Sequence, residues 1–136
     1  MDLMNVMKVS GTGMRAQSAR MQVISENIAN ADSLMNADGT GPYRRQQVFF
    51  KATENPTTGL TEVKVAGVTP DYATPLRVKY DPGNPLADKQ GLVKMPNVDT
   101  TLESVDMKEA ARAYEANMTA IENTKQLMLR TMDLLR

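Results

Sequence analysis

The sequence predicts an α+β protein: long N- and C-terminal helices pairing as a coiled coil, with a small β-hairpin or three-strand segment inserted between them. Three observations predict it. Apolar residues recur every seven positions at both ends, as Met7, Met14, Met21, Ile28 and Met35 in the first seam and Met107, Tyr114, Ile121, Met128 and Leu135 in the second. An α-helix turns once in 3.6 residues, so an unbroken heptad seam stays buried only against a helix that coils alongside. All seven Pro and six of the eight Gly fall between residues 36 and 97, which breaks helix there. Within that stretch, short runs alternate apolar and polar, the period of a half-buried strand.

The chain accordingly divides into a helix over residues 1–35, a β-rich segment over 36–97 and a second helix over 98–136. In the first, Leu3, Val6, Ala16, Val23, Ile24 and Ala31 widen the apolar stripe across residues 2–34. Ser10, Gly11, Thr12 and Gly13 weaken it near the start, since an interior Gly costs about 1 kcal/mol relative to Ala. Asn30, Asn36, Gly39 and Gly41 are stop signals.

Strands are expected at residues 46–50, 61–66 and 76–80, separated by breakers at Asn55-Pro56, Gly67, Thr69-Pro70 and 81–85. Three short strands barely make a core of their own, so this segment is expected to lean on the helices or on neighbours. The last helix is expected to start behind Pro96 with a capping box at Thr100-Thr101-Leu102-Glu103. Early Asp99, Glu103, Asp106 and Glu109, and late Lys125, Arg130 and Arg136 (the last outside the described residues), suit its dipole.

Composition narrows the function. Lys plus Arg and Asp plus Glu both number 16, so charge favours neither nucleic acid nor an anionic membrane. With no Cys there is no disulfide framework, and with no His the commonest general base and metal ligand is missing. No cofactor or metal is expected, and no catalytic group. Gly11-Thr12-Gly13 lacks the rest of a nucleotide-binding signature, and Asn117-Met118-Thr119 matches a glycosylation sequon by chance in mid-helix. Arg44-Arg45 reads as a solvated strand entry. Eleven Met and few aromatics suit contact surfaces that fit several neighbours. No cleavable signal is expected, because Asp2, Lys8, Arg15 and Arg20 interrupt any apolar leader core. No run reaches the roughly 20 apolar residues of a membrane span, so no membrane insertion is expected.

Half a heptad from the seams lie polar residues: Gln17 in the first helix, and Asn117, Thr124 and Thr131 in the second. Solvated flank positions are the simple reading. For Asn117, with Ala110, Ala113 and Ala120 around it, the reading is a buried polar group that sets register.

The motifs resemble a known family. Gln17-Ser18-Ala19-Arg20 leading into Asn27-Ile28-Ala29-Asn30-Ala31 resembles the N-terminal motif of bacterial flagellar rod and hook proteins. Pro42-Tyr43-Arg44-Arg45-Gln46, Asp81-Pro82-Gly83 with its flanks, Pro96-Asn97 at the end of 91–99, and Tyr114 with Asn117 in 111–117 are similar to the proximal-rod members. The resemblance spans nearly the whole chain and is thinnest over residues 52–70. It implies a structural subunit of the flagellar basal-body rod, which crosses the periplasm as a hollow, torque-bearing shaft. It also implies export without a cleaved signal through the flagellar type III apparatus, and assembly with other rod and hook–basal body proteins. Val6, Gly13, Val23, Ala113, Ala120 and Leu127 are then candidate second faces toward neighbours in a helical self-assembly. Periodicity alone leaves an alternative open, a cytoplasmic helical-hairpin adaptor that closes as a dimer.

Overall fold

The computed structural model describes residues 2–135. Its order is α1 (Leu3–Ala29), β1 (Gln46–Glu54), β2 (Thr61–Pro70), β3 (Arg77–Tyr80), β4 (Leu92–Met95) and α2 (Thr100–Leu134). The two helices pack against each other, and the β segment between them forms two separate two-stranded sheets.

Asp2 caps α1, its carboxylate accepting the Met4 amide at 3.3 Å. The helix runs unbroken through Ser10–Gly13, because that polar stretch is a contact face. Thr12 is buried; its hydroxyl donates to the Val9 carbonyl at 2.7 Å and accepts the Val63 amide of β2 at 3.2 Å. The helix ends at Ala29 rather than near residue 34, because Asn30 turns back. The Asn30 side chain donates to the Glu26 carbonyl at 2.8 Å and its amide to the same carbonyl at 3.1 Å.

At α2 the expected capping box does not form. The cap is Asp99, whose carboxylate accepts the amides of Thr101 at 2.9 Å and Leu102 at 3.3 Å. Asp99 satisfies those donors one residue earlier, which releases Glu103 to turn inward.

Asn27 lies opposite Glu103, Arg20 opposite Asp106 and Glu109, and Gly13 opposite Asn117, so the helices run antiparallel. At 1.5 Å per residue the 27 residues of α1 span about 40 Å and the 35 of α2 about 52 Å. In this register the last two turns of α2 project past the start of α1. Leu129, Met132, Leu134 and Leu135 on the projection are exposed, the last two at 86% and 84%.

Between the helices, Glu103, Ala110 and Thr124 are buried and Asn117 is half-buried, one seven-residue line. Met107, Tyr114, Ile121 and Met128 flank it, half-buried, as do Met7, Met14 and Met21 on α1; Ile28, Met35 and Leu135 are exposed. Small and polar residues on the inner line let the backbones approach, and the larger side chains close over both sides. The apolar core is small: Ala16, Val23, Ile24, Ala31, Val93, Val98 and Ala110.

β1 pairs antiparallel with β2, and β3 with β4. The runs at 46–50 and 61–66 lengthen into β1 and β2, and the run at 76–80 pairs instead with Leu92–Met95, a strand the sequence did not signal. Gly67 and Pro70, expected as breakers, lie within β2. Gly67 sits at a bulge, where Phe49 faces Gly67 but Phe50 faces Val65. Gly91 closes the loop between β3 and β4 with φ +78°, and a Cβ there would lie 2.9 Å from the Tyr80 ring.

Candidate functional site

The base of the helix pair meets the β segment in a buried polar clasp. Asn27, on the last turn of α1, is 1% exposed. Its amide nitrogen donates to the Gln46 carbonyl at 2.9 Å and to Glu103 Oε2 at 3.1 Å. Its oxygen accepts the Gln46 amide at 2.8 Å and the Tyr43 hydroxyl at 2.9 Å. One side chain thus fixes helix, strand and second helix together, with every polar group used.

Glu103, also 1% exposed, receives the Arg45 guanidinium on its other oxygen. Arg45 extends to Asp106 at 3.5 Å, and Arg20 reaches Asp106 and Glu109 at 3.7 Å each. The expectation that Arg45 is a solvated strand entry is therefore corrected. A carboxylate taken out of water requires a cation and hydrogen bonds beside it, and Arg45 with Asn27 supplies both.

A second buried amide repeats the device. The Asn97 oxygen accepts the Arg45 amide at 2.8 Å, and its nitrogen donates to the carbonyls of Asp71 and Thr74 at 3.0 Å each. Arg77 bridges the Pro96 carbonyl at 2.9 Å and the Ala31 carbonyl at 3.2 Å, tying β3 to the end of α1. Arg44 stacks over the Tyr72 ring, 4.9 Å from its centre.

Burial, reinforced by Glu26 and Glu103, pushes the Tyr43 hydroxyl above its ordinary range, which keeps it a neutral donor to Asn27. The Thr74 hydroxyl and amide hold the Asp71 carboxyl below the usual carboxylate range. A depressed carboxyl stabilises the fold above its unfolded pKa, and that contribution is lost as pH falls through the lowered value.

The resemblance-derived positions fall in two groups. Asn27, Tyr43, Arg44, Pro96 and Asn97 converge on or beside the clasp, and Pro42 lies half-buried next to them. Asn30 ends α1, Ala29 is exposed, and Asp81, Pro82 and Gly83 shape the distant β3–β4 loop, where the Asp81 amide donates to the Gly91 carbonyl at 2.9 Å. Tyr114 and Asn117 lie on the helix seam. The residues sequence reasoning missed are Glu103, Arg45, Asp71 and Thr12. The available signal was position: Glu103 continues the inner seven-residue line of Ala110, Asn117 and Thr124, where an unpaired charge would be costly.

On the seam, a Cβ at Gly13 would lie 3.0 Å from Asn117 Nδ2 and 3.2 Å from its Cγ. Asn117 cannot swing freely, because its Nδ2 donates to the Ala113 carbonyl at 2.9 Å. Gly13→Leu should therefore lower stability in urea by about 1–3 kcal/mol through overpacking. Asn117→Ala in the same chain should restore part of it, a coupling that a double-mutant cycle reads directly.

Among the described residues, no cluster of metal-ligating side chains occurs and no helix is long and apolar enough to cross a membrane. An antiparallel helix pair with an apolar projection, locked to a β appendage by internal polar contacts, is the architecture of an assembly subunit. A family model described as "Flagella basal body rod protein" matches residues 7–33, and one described as "Flagellar basal body rod FlgEFG protein C-terminal" matches residues 89–134. The chain is 45% identical to the flagellar basal-body rod protein FlgC of Yersinia enterocolitica, over 98% of both chains. It is 44% identical to that of Agrobacterium fabrum, over 95% of this chain and 92% of the other. To that of Borreliella burgdorferi it is 39% identical, over 100% and 99%. The chain belongs to the FlgC family of flagellar basal-body rod proteins. It is a structural subunit of the flagellar rod.

Proposed function

We propose that the chain builds the proximal rod through its helices, packing lengthwise on other rod and hook–basal body subunits to form the wall of a hollow, torque-bearing shaft. It reaches the rod across the periplasm through the flagellar type III export apparatus, without a cleaved signal, and has no catalytic role. The observation that carries this reading is the projecting end of α2, where Leu129, Met132, Leu134 and Leu135 are all exposed. Contiguous apolar surface of this kind marks an interaction site. Docked on a different face of the next subunit, this end makes a contact that does not close on itself and so propagates into a tube. Torque is then shared among many lateral contacts.

The seam residues Met7, Met14, Met21, Met107, Tyr114, Ile121 and Met128 hold the pair.

Replacing Leu129, Met132 and Leu134 together by Ser should leave a folded chain with a nearly unchanged melting curve, because all three side chains are exposed. Its recovery in purified basal bodies should fall at least tenfold. Normal recovery would contradict the proposed surface. A fully helical dimer persisting on dilution in sedimentation equilibrium would favour the closed adaptor instead.

A further inference from the structure

The hairpin has two outer edges, and the fold treats them differently. Backbone groups of alternate strand residues point outward. On β2 the outward set includes Val63, whose amide is taken by Thr12, and ends in Pro70, which has no amide; Val65 and Val68 between them are also unbonded among the described residues, but the bulge at Gly67 separates them and breaks the row. On β1 the outward set begins at Gln46, whose amide and carbonyl are both held by the Asn27 side chain at 2.8 and 2.9 Å. Asn27 there imitates the next strand of a sheet. The same parity turns the amides and carbonyls of Val48, Phe50 and Ala52 outward, and among the described residues no other element bonds to them. Natural sheets protect an edge with Pro or a bulge. Here both devices sit on β2, and β1 has neither.

A groove of about 390 Å³ runs beside this edge, with Gln46–Phe50 on one wall and Arg20, Val23, Ile24 and Asp106 among the residues on the other. The chemistry of an added strand can be read from the ladder. Val48 pairs with Val68 and Phe50 with Val65 on one face, and Phe50, Val65 and Val68 are exposed. On the other face Lys51 stands directly opposite Lys64, both exposed, and neither takes part in the ion pairs of the described residues. Like charges directly opposed in a ladder are unfavourable, and Glu62, two residues along on the same face, accepts the Asn55 amide at 2.9 Å and is not among the ion pairs of the described residues.

We propose that the outer edge of β1 is a strand-addition site for an extended segment of a neighbouring, non-identical subunit, apolar at alternate positions and carrying an acidic residue beside Lys51. Main-chain bonds to Val48, Phe50 and Ala52 give the affinity, and the alternating side chains give the register. A second copy's β1 is a poorer occupant, since it brings another lysine to the same face and forms a self-complementary pair that closes. The inference rests on the rod-subunit reading.

The test is amide hydrogen exchange by mass spectrometry, comparing the isolated chain with purified basal bodies. The amides of Val48, Phe50 and Ala52 should exchange at least tenfold more slowly in basal bodies, while those of Lys51 and Thr53, which face β2, are protected in both. Ala52→Pro supplies a second readout. It removes an outward amide and no ladder bond, so the variant should melt like the parent and be recovered in basal bodies at least tenfold less. Equal exchange of the edge amides in both samples, or normal recovery of a folded Ala52→Pro chain, would overturn the edge site and leave the rod reading standing. Edge protection already present in an isolated dimer would overturn the non-identical partner. Absence of the parent chain from basal bodies would overturn the rod reading itself.

Discussion

Arg45→Ala should destabilise the free chain by about 3–5 kcal/mol, the cost of breaking a buried ion pair by removing one partner. The loss exceeds that of an ordinary surface salt bridge, about 0–1 kcal/mol, because Glu103 is buried and has only the Asn27 amide left beside it. Asp106 loses one of its two cations in the same change. Urea unfolding reads the effect. Two companions separate the charge from the packing. Glu103→Gln with Arg45 intact should cost less, since the amide can still accept and Arg45 keeps Asp106. Arg45→Met with Glu103→Leu should recover most of the loss, because the pair is then replaced and no charge is left buried alone. An Arg45→Ala chain as stable as the parent would show that the clasp does not hold the β segment to the helices.

Ile121→Asp should abolish motility and incorporation into basal bodies. Ile121 flanks the inner line between Asn117 and Thr124, half-buried against α1. An aspartate there loses the apolar burial and sets a carboxylate into the seam far from Arg20 and Arg45, which supply the cations of the ion pairs among the described residues. Some loss of subunit stability is expected as well, so the comparison is with Ile121→Ala, which removes volume without charge. That variant should fold less stably yet still be recovered in basal bodies. Normal motility of Ile121→Asp would contradict the seam as the packing that holds the helix pair in the form that assembles.

Both helices were legible because a long periodic signal averages over many residues. Met7 to Ile28 and Met107 to Leu135 each repeat at least four times, and no local interaction imitates that. What the period did not give is which line faces inward. Large apolar residues define the seam to the eye, but the line buried between the helices carries Ala110 and Thr124, with Gly13 against Asn117, where smallness matters more than hydropathy. Helix ends were less legible. Asp99 and Thr100 are both good caps, and only the competing use of Glu103 by Arg45 decides between them. β4 escaped notice because four residues between Gly91 and Pro96 carry too short an alternation to stand out.

The clasp was legible only by resemblance. Asn27, Tyr43 and Asn97 lie on three different segments, and nothing in their spacing announces that they converge. Glu103 and Arg45 look like solvated charges along the chain, because their pairing spans a sequence separation that only the packed helices close.

The most direct test of assembly through α2 is photo-crosslinking in living cells, with a photoreactive amino acid at position 132 of the full chain. Assembly through α2 predicts crosslinks from this exposed position to other basal-body subunits, present only when the rod is being built. Crosslinks confined to a discrete dimer of the chain itself, formed equally without a basal body, would contradict it.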